Sequence, residues 1–333
     1  MRVFVSGFGT VGQGITELIV MKGEELNAMC KDGVQIVGIM DSKSYIVKQD
    51  GICPLCTLGH KKNDGKCSDT PRNGMEGKEI LDMVDYDVLI ECTPTNIDDG
   101  GEGLKNIEHA LSCGKDVITV NKGPLALKFH ELMEIAQKKG CIFRFEGSVG
   151  GAMPIINLCR EGLAGQKIKS ILGIFNGTCN FILSRMDAGM PFNQSLKEAQ
   201  QLGYAEADPT YDIKGIDSAC KVTILANSVF GRDVTIKDVE IRGVDTITED
   251  AIALAEDHGM VIRLIGEVSK DRLEVSPRLI PKGHPLSLSG TLNTAVIQTD
   301  FAGPITVSGR GAGRSETASA ILSDLISIIR ERK

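Results

Sequence analysis

Up to about residue 145 the apolar positions switch repeatedly between two periods. Val3-Phe-Val5 is a short continuous apolar run, and after a glycine turn the pattern becomes Ile15, Leu18 and Ile19, which is helical spacing. Strand-like runs return over 34–40, 87–92, 116–120 and 141–145, with helical patterns over 76–84, 104–113 and 125–139 between them. That alternation predicts an α/β unit with a parallel, doubly wound sheet.

The alternation ends near residue 147, where we place a hinge. Beyond it, strands over 168–175, 261–268, 273–280, 295–299 and 305–308, with helices over 196–202, 216–224 and 249–258, predict an α+β unit with a mixed sheet. A last helical pattern over 318–329 is expected to return to the first unit. The expected division is 1–146 with about 303–333, carrying an insert over about 47–77, and 147–302 as a substrate-binding and dimerisation domain.

Composition narrows the chemistry. The chain has 333 residues and a formal charge of -7, which argues against nucleic-acid and anionic-membrane partners because both select basic faces. No apolar run reaches membrane-spanning length and no signal peptide precedes the first strand, so a cytoplasmic location is expected. Disulfides are unusual there, and Cys92, Cys113, Cys141, Cys159, Cys179 and Cys220 sit in apolar patterns as small core residues.

The first turn reads Gly7-Phe8-Gly9-Thr10-Val11-Gly12 between a strand and a helix, the context a dinucleotide site requires. Gly7 permits the tight turn, Gly9 lets the backbone approach a pyrophosphate, Gly12 lets helix and strand pack, and the helix N-terminus stabilises the anion. The second strand ends in Asp41, an acid that favours the free 2′-hydroxyl of NAD, whereas Ser42 and Lys43 after it suit the 2′-phosphate of NADP. The choice between the two stays open.

Ligands of doubly wound sheets collect at the carboxyl ends of strands, so Thr93-Pro94 and Asn121-Lys122 are expected beside the cofactor. The glycine turn Gly311-Ala312-Gly313, at the start of the last helix, is expected to return to it. Glu146, ending a strand before a glycine-rich turn, is either a satisfied cap or a ligand of a monovalent cation. In the polar insert, Cys53, Cys56, His60 and Cys67 form a candidate structural zinc set; the alternatives are incidental thiols in a flexible loop and a redox-sensitive pair.

The densest chemistry lies in Gly203–Lys221. A loop rich in acids (Glu206, Asp208, Asp212) with Tyr204 and Tyr211 leads into a helix on which Asp217 and Lys221 are four apart, on one stripe beside the apolar face. By itself such a pair is most simply a surface ion pair. The company of three acids and two tyrosines points instead to one wall of a pocket.

Taken together, Gly7-x-Gly9-x-x-Gly12, Val120-Asn-Lys-Gly-Pro-Leu125, Glu146 with its glycine turn, Asn176-Gly-Thr178, Gly203–Lys221 and Gly311-Ala-Gly313 resemble homoserine dehydrogenase over nearly the whole chain. The resemblance implies NAD(P)-dependent interconversion of L-homoserine and L-aspartate 4-semialdehyde, in the route to threonine, methionine and isoleucine. It implies Asp217 and Lys221 as the catalytic pair with Lys122 facing them across the substrate. It further implies Glu206 and Asp212 on the substrate amino group, with Thr178, Tyr204 and Asp208 at the pocket. Glu146, Val149 and Gly151 match positions that bind Na+ or K+ in relatives, and a homodimer is expected. The chain ends after its final helix, so a regulatory effector domain is not expected. Hydride reduction of an aldehyde creates an alkoxide, which needs a nearby cation and a proton source; a lysine supplies both. The competing readings are a non-catalytic NAD(P)-binding redox sensor and a dehydrogenase of another amino-acid-derived aldehyde.

Overall fold

The computed structural model describes residues 1–30 and 33–333. Two compact units emerge: residues 1–148 with 313–333, and residues 149–312.

The first unit runs β1 (Arg2–Ser6), α1 (Thr10–Met21), α2 (Gly23–Met29), β2 (Gln35–Met40), β3 (Tyr45–Val47), α3 (Pro54–Asp64), α4 (Gly77–Leu81), β4 (Val88–Glu91), α5 (Gly101–Ser112), β5 (Asp116–Thr119), α6 (Lys122–Lys139) and β6 (Phe143–Arg144). Its sheet has the order β3-β2-β1-β4-β5-β6, parallel except for the short β3 at one edge. This is the strand order of a dinucleotide-binding sheet, with order reversing between β1 and β4. β1 is central because both its faces are apolar; Val3, Phe4 and Val5 are fully buried.

The second unit runs α7 (Ile155–Asn157), β7 (Ile168–Ile174), α8 (Gly177–Asp187), α9 (Phe192–Gln201), α10 (Thr210–Ile213), α11 (Ile216–Phe230), β8 (Glu240–Ile241), α12 (Glu249–Asp257), β9 (Met260–Ser269), β10 (Leu273–Pro281), β11 (Leu292–Thr299) and β12 (Pro304–Arg310). Its sheet, ordered β12-β11-β7-β9-β10-β8, is antiparallel apart from the β10–β8 pair. The expected mixed sheet is therefore present.

The chain then returns as α13 (Arg314–Glu331), whose Ile321, Leu325 and Ile328 join Ile15 and Ile19 of α1 over Val3, Val5 and Ile90. The two helices approach closely at Gly14, where an added Cβ would lie 2.8 Å from the Arg314 carbonyl oxygen. This return corrects one expected boundary. Residues 304–310 form an antiparallel ladder with 292–298, so they belong to the second sheet, and the chain re-enters the first unit at Gly313 rather than near 303.

The insert is also corrected. Residues 54–64 form a helix, with Cys53 as N-cap, Pro54 at the first helical position, Lys61 and Lys62 in the last turn and Gly65 at φ +69° as the stop. The four expected zinc ligands are not gathered. Cys53 and Cys56 are joined as a disulfide at the helix start, and His60 Nδ1 contacts Asp64 at 3.1 Å. Cys67 is drawn into the core, its Sγ 3.1 Å from Ser44 Oγ, and burial pushes its thiol up to about 11. An apolar wall for Cys67 and a helix N-terminus for the other pair pull the set apart. Among the described residues no helix is long and apolar enough to cross a membrane.

Candidate active site

The turn after β1 is built for backbone closeness. Gly7 has φ +88°, and a Cβ there would lie 2.5 Å from the Cys92 carbonyl carbon; one on Gly12 would lie 2.0 Å from the Gly7 carbonyl oxygen. Gly9 differs, because nothing lies within 4 Å of the place its Cβ would take. It is the N-cap residue of α1, where no side chain caps the helix and the first turn holds no acid. Open space in front of uncapped backbone N–H groups at a helix N-terminus fits a pyrophosphate.

At the end of β2, Asp41 is buried and its carboxylate is fully engaged. Oδ1 accepts from the backbone N–H of Lys43 and of Ser44, each at 2.8 Å, and from Ser44 Oγ at 3.2 Å. Oδ2 accepts from Lys61 Nζ of α3 at 2.6 Å. Burial opposes ionisation here, but Lys61 and the two backbone donors outweigh it and hold the carboxyl below its ordinary value. Ser42 and Lys43 are exposed beside it.

The loops after β4 and β5 are tied to each other. Asn121, N-cap of α6, accepts from Gly123 N–H at 3.1 Å and donates through Nδ2 to Thr93 Oγ1 at 3.1 Å and the Pro94 carbonyl at 3.2 Å. Thr93 in turn donates to Glu91, a fully buried acid that also takes Asn106 Nδ2 at 3.2 Å; burial raises the Glu91 pKa against these hydrogen bonds. Lys122 is the first residue of α6, at the carboxyl edge of this sheet. Glu146 is buried, in a short 3-10 turn whose backbone N–H donates to Asp324 Oδ2 at 2.9 Å.

In the second unit the site is a buried polar cluster. Lys221 Nζ donates to Asp217 Oδ2 at 2.7 Å and to the Phe175 carbonyl at 2.5 Å, and both residues of the pair are under 10% exposed (7% and 8%). Asn176 is the hub. Its Oδ1 caps α8 by accepting from Cys179 N–H at 2.8 Å, while Nδ2 donates to Asp212 Oδ1 at 2.6 Å and to Asp217 Oδ2 at 3.0 Å. Burial raises the Asp212 pKa, with the neighbouring Asp217 charge adding to it and Asn176 opposing. Thr178 Oγ1 donates to the Tyr204 carbonyl at 2.7 Å, fixing the acid-rich loop to the start of α8.

Asp212, Asp217 and Lys221 are thus linked through Asn176 with Thr178 beside Asp212, while Tyr204, 47% exposed, joins only through its main-chain carbonyl. Glu206 and Asp208 lie in the exposed part of the loop, where the Thr210 hydroxyl and, at 3.0 Å, the Thr210 N–H donate to Asp208 and lower its pKa. Val149 is buried, and Gly151, at φ +58°, leaves a Cβ only 2.7 Å from the Gly311 backbone. Gly313 is the N-cap residue of α13. Sequence reading had not assigned site roles to Asn176 or Asn293; the latter's Nδ2 reaches the same Phe175 carbonyl at 3.1 Å. Asn176 had a signal, an N-cap residue before a helical pattern, while Asn293 had none.

Residues 7–146 match the family model for the NAD-binding domain of homoserine dehydrogenase, and residues 154–326 match the homoserine dehydrogenase model itself. The chain is 46% identical to the homoserine dehydrogenase of Methanocaldococcus jannaschii, over 100% of both chains. A crystal structure from Archaeoglobus fulgidus, also 46% identical, is similar at a TM-score of 0.91 over 99% of each chain. A hyperthermophilic archaeal homoserine dehydrogenase in complex with NADPH is 29% identical, with a TM-score of 0.86 over 99% of this chain and 98% of that one. With its doubly wound glycine-turn unit and its buried acid and lysine cluster, the chain belongs to the homoserine dehydrogenase family, NAD(P)-dependent oxidoreductases of amino-acid biosynthesis.

Proposed function

We propose that the chain interconverts L-homoserine and L-aspartate 4-semialdehyde with Lys221 as the acid/base, and that it accepts NADP(H). The observation that carries the first part is the buried Asp217–Lys221 pair held by Asn176 and the Phe175 carbonyl. An ammonium has three N–H donors. Two of them go to Asp217 and Phe175, and the third is the one we assign to the substrate's aldehyde or hydroxyl oxygen. In reduction it hands a proton to the forming alkoxide; in oxidation the amine takes the hydroxyl proton. Gly7, Phe8, Gly9, Thr10, Val11 and Gly12, in the turn and at the start of α1, would hold the dinucleotide, which when bound would supply or accept the hydride. Lys122 is assigned as a second cation that stabilises developing negative charge. Following homoserine consumption through the absorbance of the reduced nicotinamide tests the reading directly; no turnover with either substrate would leave only a dinucleotide-binding protein.

Asp212 and Glu206 are assigned to the substrate ammonium, with Thr178 and Tyr204 lining its place. Because protonated Asp212 cannot pair with that ammonium, the raised pKa has a consequence of definite sign. The KM for homoserine should climb as pH falls through that pKa, by about tenfold per unit below it, and Asp212→Asn should raise KM at neutral pH while flattening that dependence. A KM independent of pH in the parent enzyme would remove Asp212 from substrate binding.

NADP(H) follows from the state of Asp41. An acid free to accept the ribose 2′-hydroxyl would favour NAD, but here both carboxylate oxygens already accept donors and Lys61 neutralises the charge. Lys61 and Lys43 then provide cations for a 2′-phosphate. Lys61→Ala is expected to raise the KM for NADP+ by about tenfold, with that for NAD+ unchanged or lower; equal changes for the two cofactors would refute the assignment.

A monovalent cation with Glu146 as its acidic ligand is also assigned; rates in KCl, NaCl and choline chloride at equal ionic strength check it. The reading includes a homodimer formed through the second unit, supported by the large apolar side chains Leu279 and Phe301 left exposed there. Light scattering at the mass of a single chain would rule the dimer out.

A further inference from the structure

We propose that Cys53 and Cys56 form a thiol–disulfide exchange site for small thiols and disulfides, and that its state sets the affinity for the phosphorylated dinucleotide; the second half rests on the reading of Lys61 above. Three observations converge on α3. Its two N-terminal cysteines are exposed and bonded to each other, among ten cysteines of which the other eight are free thiols. Its last turn carries Lys61, which holds Asp41. Between them Thr57 is buried, with its Oγ1 donating to the Cys53 carbonyl at 3.1 Å, and Leu58 packs on the core of the first unit. One rigid element thus has a reactive pair at one end and a cofactor-site cation at the other.

The pair is suited to exchange. Cys53 is the N-cap residue, and its Sγ accepts from Cys56 N–H at 3.3 Å, so a sulfur anion released there is stabilised by the helix start. The buried thiols are not, since burial pushes Cys67 and Cys179 upward. Cys113, the other exposed thiol, lies beside His109. An external thiolate attacks one sulfur, breaking the Cys53–Cys56 bond and forming a mixed disulfide; a second external thiol displaces it. The protein gains two electrons and two protons as two thiols, and two small thiols leave as one disulfide.

Reduction replaces covalent closure of the first turn of α3 by a weaker polar cap. The helix is then less firmly held, and with it Lys61. The expected result is a higher KM for NADP+ in the reduced enzyme, by roughly two- to fivefold, with a smaller change for NAD+ and none in kcat.

The test equilibrates the full chain with reduced and oxidised dithiothreitol in graded ratios, counts accessible thiols by alkylation and intact mass, and measures KM for NADP+ and NAD+ at saturating homoserine. Support is a single two-thiol transition that tracks the NADP+ KM and vanishes in the Cys53→Ser/Cys56→Ser variant, which keeps the reduced enzyme's KM. An NADP+ KM equal in the fully reduced and fully oxidised enzyme overturns the proposal, as does a response that persists in the double variant. Lys61→Ala separates the two readings. If it leaves the NADP+ KM unchanged, the cofactor reading fails; if it raises that KM while redox state does not, only the exchange site's influence fails.

Discussion

Lys221→Ala is expected to lower kcat by about two to four orders of magnitude, the range for losing a positioned proton donor. The dissociation constant for the dinucleotide should stay the same, because the glycine turn belongs to the other compact unit. The substitution removes the one ammonium that donates to both Asp217 and the Phe175 carbonyl. Asn176 Nδ2 still donates to Asp217 and Asn293 Nδ2 to Phe175, so both acceptors keep a hydrogen bond, but the buried Asp217 loses its counter-charge and Tm should fall by on the order of 10 °C. Activity is therefore measured well below that transition, where the variant is folded. Turnover there within about tenfold of the parent would show that the proton passes elsewhere; Lys122→Ala is then the next variant to measure.

The parts of this architecture that could be read from the chain are those fixed by local rules. Gly7 and Gly12 are legible because backbone atoms stand where their side chains would be, so spacing alone identifies the turn. The Asp217–Lys221 pair is legible because four residues is one helical turn. Helix α3 was hidden by its own composition, since Gly59, Gly65 and a run of polar residues look like a loop, although Pro54 and Gly65 are ordinary start and stop signals. The boundary at Gly313 was missed because β12 carries only a short alternating pattern, and its membership is decided by pairing with β11. The same holds for the polar cluster. Asn176 caps its own helix, a local role, but its other contacts lie 36 and 41 residues away, and Asn293 meets Phe175 across 118 residues. Nothing in the neighbouring sequence encodes those meetings. They follow from where the second sheet sets its strands.

Asp217→Asn separates a buried charge pair from a surface one, and it is expected to lower stability far more than the loss of an exposed pair. Asn keeps the size and hydrogen-bonding shape of Asp, so the substitution removes little but charge. The ammonium of Lys221, 7% exposed, then loses the carboxylate it donates to and keeps the Phe175 carbonyl, with Asp212 still acting on it electrostatically. Removing one partner of a buried pair costs about 3–5 kcal/mol, against about 0–1 for an exposed pair. For a unit of this size that is a fall in Tm on the order of 10 °C. Lys214–Asp245 supplies the internal control, because its N–O distance is 2.6 Å, as short as the buried pair's 2.7 Å, yet its lysine side chain is 53% exposed. Lys214→Ala should move Tm by no more than about 2–4 °C. A second readout distinguishes charge from packing. Asp217 is one of the groups raising the Asp212 pKa, so Asp217→Asn should shift the pH dependence of the homoserine KM to lower pH, which a merely loosened core would not do. Should Asp217→Asn melt no lower than Lys214→Ala and leave that pH dependence in place, the pair is not the compensated charge on which the assignment of Lys221 depends.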